Sequence, residues 1–178
     1  MNFVIEKTSS SDLEKILILN QNALPAVSSV TLKEMQHFIN IVEYFKTIKV
    51  NNKIAGFLIA LTPGKDYQSV NYKWFEKKYD SFMYVDRIVI SPIFQVKGLG
   101  TAFYNDLSNF SKTIVPRITC EVNINPPNKE SVLFHTKYGF KQVGTQFTDS
   151  GTKEVSLMKL SIWPLNNFIL TKPSFESC

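Results

Sequence analysis

Cysteine and histidine are scarce in this sequence, and their scarcity argues against metal sites and disulfide scaffolds. The 178 residues include two cysteines, Cys120 and Cys178, which lie far apart, so neither a disulfide framework nor a pair of metal ligands is indicated. The two histidines, His37 and His135, add no ligand spacing. We therefore expect no metal site.

Long apolar runs are missing as well. The longest, such as Ile54 to Leu61, stop well short of the roughly 20 residues that a membrane-spanning helix needs. No basic-then-apolar leader opens the chain. These absences predict a soluble, cytoplasmic protein with no membrane partner.

Arginine is rare too, although the chain is basic. The formal net charge is +5, yet among the 20 basic residues only Arg87 and Arg117 are arginines. Proteins that read nucleic acids favour arginine, because its guanidinium group binds bases and phosphates in a bidentate manner. We expect a Lys-rich surface and no nucleic-acid partner.

The remaining composition is that of one globular domain. Hydrophobic residues make up 44% of the chain and charged residues 20%. A chain of this length buries roughly 70% of the surface that its unfolded form exposes, so it can build a full core without metals or disulfides. We find no internal repeat and no low-complexity linker.

Hydrophobic periodicity and turn residues predict seven strands and five helices. The predicted strands are 3–5, 44–50, 54–61, 82–90, 118–122, 140–148 and 154–162. Two capping boxes, Ser11 to Glu14 and Thr31 to Glu34, open the first two helices, and the others are a short one within 71–79, then 98–111 and 129–138. The order is β-α-α-β-β-(α)-β-α-β-α-β-β. It indicates one mixed α/β (α+β) domain over residues 1–162 and a tail over 163–178.

The most informative segment runs from Arg87 to Thr101, where a predicted strand leads through a loop into a helix. Gly98 and Gly100 alternate at the start of that helix, so several amide groups can point at one spot, with the positive end of the helix dipole behind them. This geometry is an anion cradle suited to a pyrophosphate. A P-loop and a dinucleotide fingerprint are disfavoured, because the first needs a Gly-Lys-Ser/Thr ending and the second a third glycine where Phe103 stands.

The cradle carries a family resemblance. The pattern Gln95-x-x-Gly98-x-Gly100, directly after a strand that ends in Ile90-x-Pro92, resembles the acyl-CoA pyrophosphate loop of the GNAT N-acetyltransferase superfamily. A plainer interpretation stays open, in which the glycines serve close packing at an ordinary helix N-terminus.

A second landmark follows the next predicted strand. Asn128-x-x-Ser131 leads into Phe-His-Thr-Lys-Tyr-Gly-Phe at 134–140, which is similar to the family's Asn-led helix ending in an aromatic residue, a basic residue and Gly-Phe. Because they are spaced by three and four, Asn128, Ser131 and His135 form one polar stripe on a helix, and such a stripe can hydrogen-bond a pantetheine-phosphate arm. Alternatively, Asn128 is an N-cap and His135 an exposed helix residue.

The chain is thus similar to small bacterial-type members of this family over roughly residues 1–160. The resemblance implies a mostly antiparallel central sheet flanked by helices, acetyl-CoA as cosubstrate and no metal. It also implies transfer of the acetyl group to a primary amine, on a small molecule or a peptide, by direct sequential attack, and it leaves a homodimer open. The implied cofactor-binding residues are Ile88, Val89, Ile90, Gln95, Val96, Lys97, Gly98, Leu99, Gly100, Thr101, Asn128, Ser131 and Phe134.

Acyl transfer to an amine needs a base that accepts a proton from the ammonium group. Asp86 and Glu121 are single acids in otherwise apolar strands, where a carboxylate is costly unless it is paired or useful. The position of Glu121 resembles the one from which some family members supply the base. Asp86 shares a strand face with Tyr84, whereas Arg87 is expected to face the opposite side, so a partner for Asp86 must come from elsewhere. Either carboxylate could instead serve an ion pair or a backbone group.

The resemblance also implies a proton donor to the leaving thiolate at His135, where family members usually carry a tyrosine. An imidazolium can donate a proton, although its ordinary pKa of about 6.5 is low for a donor at neutral pH. Tyr138, three positions further on, is the second candidate. The departure at His135 keeps a rival function open, a non-catalytic acyl-CoA-binding sensor that has the cradle but no working acid.

Overall fold

The computed structural model describes residues 2–162, and the predicted tail, 163–178, lies outside the described residues. All of the predicted strands and helices are present, in the predicted order. The strands are β1 (Phe3–Lys7), β2 (Tyr44–Val50), β3 (Lys53–Leu61), β4 (Met83–Ile90), β5 (Arg117–Asn125), β6 (Lys141–Thr148) and β7 (Lys153–Ser161). The helices are α1 (Leu13–Asn22), α2 (Leu32–Ile41), α3 (Val70–Lys78), α4 (Leu99–Ser111) and α5 (Lys129–Tyr138).

The strands form one sheet in the order β1-β2-β3-β4-β5-β7-β6. Each neighbouring pair is antiparallel except β4 and β5, which are parallel. A parallel pair needs a crossover connection, and α4 supplies it. The mostly antiparallel sheet is therefore confirmed. No helix within residues 2–162 has both the length and the apolar composition needed to cross a membrane.

Alternation along β3 assigns the helices to the two faces of the sheet. Leu58 and Ala60 pack in a cluster with residues of α4. Phe57 and Ile59 point the other way, into a cluster with α1 and α2, and Leu61, next on that face, packs with α3. Residues of α5 pack against the same cluster as α4. The sheet therefore lies between α4 and α5 on one side and α1 to α3 on the other.

The two predicted capping boxes have different outcomes. At α2 the Thr31 side chain accepts a hydrogen bond from the Glu34 amide (3.2 Å), and the Glu34 carboxylate accepts one from the Thr31 amide (2.7 Å), so this box is confirmed. At α1 the box predicted at Ser11 is wrong. A 3₁₀ turn over Ser10–Asp12 precedes the helix, and the Ser11 hydroxyl bonds the Ser9 hydroxyl (2.8 Å) instead of a helix amide.

Candidate active site

The parallel pair at the centre of the sheet separates after three residue pairs. Residues 83–85 of β4 pair with 118–120 of β5, but β4 continues to Ile90 and β5 to Asn125 without further pairing between them. On its other edge, β4 stays paired with β3 as far as Ile90. Where the two strands part lies a cleft of about 440 Å³, lined from both faces of the sheet.

Each half of the cleft is lined by elements from one face. The half beside α5, which we call the α5 half, is lined by Tyr104, Cys120, Val122, Asn128, Ser131 and His135. The half beside α3, the α3 half, is lined by Tyr67, Asn71, Asp86, Arg87, Glu121, Asp149 and Lys153, and by the α1–α2 loop at 25–28. Two molecules that enter from opposite halves would meet where β4 and β5 part.

The predicted anion cradle lies where the chain leaves β4 and enters α4. Gly98 has a left-handed φ of 80° and is the N-cap of α4, and no side chain caps the helix. The first amides of a helix have no intrahelical partner, so without a cap they stay open to an anion. Side-chain nitrogens of Gln95 and Lys97 donate to the carbonyl oxygens of Ile90 (3.1 Å) and Ile93 (2.8 Å), which braces the loop.

The residues of the cradle contribute in different ways. A side chain at Gly98 would meet open space, so it is the left-handed backbone that favours glycine there. A Cβ at Gly100 would lie 2.9 Å from Cζ of Phe134, so this glycine lets α5 approach α4, and the packing interpretation applies to it. Val96 has a left-handed φ of 57° although it is β-branched, which is a strained conformation.

The polar stripe on α5 lines the cleft, but its side chains are engaged. Asn128 Oδ1 accepts a hydrogen bond from the Ser131 amide (3.1 Å), so Asn128 is the helix N-cap. His135 is only 3% exposed, which corrects the alternative of an exposed helix residue. Its Nδ1 donates to the Ser131 carbonyl oxygen (2.7 Å), because a carbonyl can only accept, and its Nε2 then accepts from the Tyr104 hydroxyl (2.8 Å).

Both predicted proton donors, His135 and Tyr138, have their polar atoms engaged by other residues of the protein. Burial lowers the pKa of His135, and a neutral ring with its proton on Nδ1 has none to give from Nε2. The Tyr138 hydroxyl donates to Asn105 Oδ1 (2.9 Å) in an exposed contact and does not line the cleft. The tyrosine that does line the α5 half is Tyr104, which sequence reasoning missed because it lies among the buried residues of α4. The signal in the sequence that could have pointed to Tyr104 is a tyrosine on the buried face of a helix, because a buried tyrosine hydroxyl needs a hydrogen-bond partner.

Glu121, in the α3 half, has one carboxylate oxygen paired and the other not. Its Oε1 accepts a hydrogen bond from the Tyr84 hydroxyl (2.8 Å), while Oε2 is buried without a hydrogen-bond partner among the described residues. Burial, and then the negative charge of Asp86, raise the pKa of Glu121 to about 8. Such a carboxylate is suited to accept a proton near neutral pH.

Asp86 is held by two partners, one of them its neighbour in the sequence. Its Oδ2 accepts from Nε of Arg87 (2.5 Å), and its Oδ1 accepts from the Tyr67 hydroxyl. The expectation that Arg87 faces away is wrong, because the pairing with β3 passes from Arg87 directly to Val85 and leaves Asp86 as the extra residue of a β-bulge. Both oxygens of Asp86 are thus engaged, whereas Oε2 of Glu121 is not.

Known proteins share this architecture. The sequence model of the family described as "Acetyltransferase (GNAT) domain" matches residues 19–161. The ribosomal-protein-S18-alanine N-acetyltransferase from Escherichia coli has a similar structure, with a TM-score of 0.70 and 19% identity over 94% of this chain and 99% of that chain. Ard1 from Thermoplasma volcanium is similar with a TM-score of 0.74 and 16% identity, over 92% of this chain and 100% of that chain. Arabidopsis thaliana Naa50, in complex with the bisubstrate analogue CoA-Ac-MVNAL, is similar with a TM-score of 0.70 and 16% identity, over 90% of this chain and 99% of that chain.

No curated protein sequence matches the chain. At these low identities the structural neighbours show a shared fold, whereas the family model spans most of the chain and shows the family. Within residues 2–162, no group of three or more His, Cys, Asp or Glu side chains is placed to hold a metal ion. The chain belongs to the GNAT acetyltransferase family and is an acetyl-CoA-dependent N-acetyltransferase.

Proposed function

We propose that residues 1–162 form a domain that moves the acetyl group of acetyl-CoA to a primary amine by direct attack, with Glu121 as the general base. The observation that carries this proposal is the environment of Glu121, which lines the cleft with a free Oε2 and a pKa of about 8. A base of this pKa is partly ionised at neutral pH and basic enough to accept a proton from an ammonium group. The nearby Cys120 is an unsuitable nucleophile, because burial raises the pKa of its thiol.

Open backbone groups support donor binding along the α5 side of the sheet, from the loop at 95–101, which lies outside the lining of the cleft, to the cleft itself. The amides of 96–101 surround the uncapped start of α4, where they would hold the pyrophosphate. From Ile88 to Ile90, β4 is paired with β3 but not with β5, so the amides and carbonyls on its free edge are available to the pantetheine arm and the thioester carbonyl. Asn128 and Ser131 line the α5 half and would contact the arm.

The α3 half would hold the acceptor. In the proposed reaction Glu121 accepts one proton from the ammonium group, and the nitrogen then forms its bond to the thioester carbonyl carbon. The carbon–sulfur bond breaks, and the sulfur takes up the second proton of the nitrogen directly or through water. This route asks for no proton from His135, which we assign to positioning the Tyr104 hydroxyl.

Release of free CoA with a panel of primary amines tests the proposal. Wild-type protein should release CoA and form the acetylated amine, and Glu121→Gln should lower kcat by about 10²- to 10⁴-fold without changing the affinity for acetyl-CoA. Glu130→Gln removes an exposed carboxylate from α5 and is the matched control, which should keep full activity. Undiminished turnover in Glu121→Gln would exclude this base. Acetyl-CoA binding without turnover on any amine would favour the sensor.

A further inference from the structure

The charged side chains that line the α3 half are three carboxylates and two cations. The carboxylates belong to Asp86, Glu121 and Asp149, and the cations to Arg87 and Lys153. An anion that enters such a site is costly unless a cation is free to pair with it. Whether the acceptor can carry a carboxylate beside its amine therefore depends on whether Arg87 or Lys153 is free to pair with it.

The guanidinium group of Arg87 is buried and hydrogen-bonded within the protein. Arg87 is 4% exposed, and its Nε donates to Asp86 (2.5 Å). Nη1 donates to Oδ1 of Asn20 (2.9 Å) and to the carbonyl oxygen of Ser28 (3.2 Å), and Nη2 donates to the Ser28 hydroxyl (3.3 Å). Its charge is thus balanced by Asp86 while its donors hold the α1–α2 loop at the cleft, so it is not available to a substrate anion.

Lys153 is paired as well. Its Nζ lies 3.0 Å from Oδ2 of Asp149, and the side chains are 23% and 60% exposed, which places this pair at the mouth of the cleft. Deeper inside, Glu121 Oε2 has no partner among the described residues. Carboxylates therefore outnumber cations in this half, and the remaining unpaired group is an acid.

We propose that the acceptor is a primary amine with no carboxylate on the carbon that bears the amine, so that alkylamines, amino alcohols and peptide N-termini are accepted and free amino acids are excluded. The inference rests on the proposed function. The reactive state is the one in which Glu121 is ionised. In that state an ammonium group is attracted to Glu121, whereas an adjacent carboxylate would lie near Glu121 and Asp86 with no cation free to pair with it. Repulsion between like charges is an effective means of rejecting a wrong substrate.

Matched acceptor pairs test the inference. Leucine is compared with leucinol, phenylalanine with phenylalaninol, and alanine with a peptide that begins with alanine, at equal concentrations of the protonated amine. The member without the carboxylate should have a kcat/KM at least about tenfold higher, as expected for one unfavourable charge contact. A free amino acid acetylated as well as its partner would overturn the inference and leave the proposed function intact. No CoA release with any amine would count against the proposed function itself.

A variant that frees one cation gives a second, independent readout. Asp149→Asn leaves Lys153 without its carboxylate, so Lys153 can pair with a substrate carboxylate, and the preference for leucinol over leucine should narrow several-fold. Asp80→Asn removes the same charge from an exposed turn outside the cleft, and the preference should stay as in the wild type. An unchanged preference in Asp149→Asn would overturn the part assigned to the Lys153 ion pair.

Discussion

Replacing Glu121 by glutamine should stabilise the fold while it removes catalysis. Burial and the charge of Asp86 raise the pKa of Glu121 from its ordinary 4.5 to about 8. Between these values the folded chain holds a proton that the unfolded chain releases, so the free energy of unfolding of the wild type falls as the pH rises. One pKa unit corresponds to about 1.4 kcal/mol, so the loss is about 3 kcal/mol at pH 7 and about 5 kcal/mol above pH 8.

Urea unfolding over a pH series measures this loss. Glutamine is neutral at every pH and keeps an oxygen for the Tyr84 hydroxyl, so Glu121→Gln should match the wild type near pH 4 and exceed it by about 3 kcal/mol at pH 7. Glu130→Gln, which removes an exposed carboxylate from the first turn of α5, is the control, and its divergence from the wild type should stay below about 1 kcal/mol at every pH. If the difference between Glu121→Gln and the wild type is the same at every pH, the raised pKa is refuted, and with it the reason for choosing this base.

Further predictions concern the pH dependence of activity, the predicted cradle and the α3 half of the cleft. The kcat/KM for the amine should rise with pH to a plateau above about 8, because Glu121 must be ionised, and a plateau already reached below about pH 6 would contradict this. Gly98→Glu should abolish acetyl-CoA binding in calorimetry, since it adds a carboxylate and a strained backbone to the cradle, and unchanged affinity would exclude that site. Val96→Gly should relieve left-handed strain and raise the free energy of unfolding by up to about 1 kcal/mol in urea, whereas a decrease would show that the strain is compensated. Arg87→Lys should raise KM for the amine more than for acetyl-CoA, because Arg87 holds the α1–α2 loop, and Arg117→Lys is the matched control that should change neither.

Local sequence patterns predicted the order of the elements, yet two identical local signals had different outcomes. Thr31 to Glu34 and Ser11 to Glu14 both have the form of a capping box, and only the first closes. Within the Ser11 to Glu14 segment, Asp12 Oδ2 lies 3.2 Å from Nζ of Lys49 in β2, and this ion pair joins the turn before α1 to the sheet. A contact with a residue distant in the sequence competes with the local motif, and a four-residue pattern carries no information about it.

The left-handed backbone at Gly98, within the predicted cradle, was predictable because its signal is local. A glycine before a helix needs only its own φ, and Gly98 has the left-handed value that this position favours. The role of Gly100 depends on Phe134, which belongs to another helix. One spacing pattern thus contains a backbone requirement that a sequence can reveal and a packing requirement that it cannot.

The direction of Arg87 shows the limit of strand alternation. Alternation predicts opposite faces for Asp86 and Arg87, but one extra residue in β4 brings the two side chains together. A bulge is set by the register with β3, which depends on packing across the whole sheet. The acid–base pattern of the cleft follows from this register and not from residue order.

The sequence alone determined which elements form, that a glycine loop opens α4 where an anion cradle is predicted, and that Glu121 and Asp86 are the acids to consider, because each depends on residues close together in the chain. Only the tertiary structure decided that β4 and β5 part after three pairs, that Glu121 is left with an unpaired oxygen while Asp86 is not, and that His135 is a buried acceptor. Those properties arise from burial and from partners on other elements, since a side chain's pKa and its free hydrogen-bonding atoms are set by what surrounds it in space.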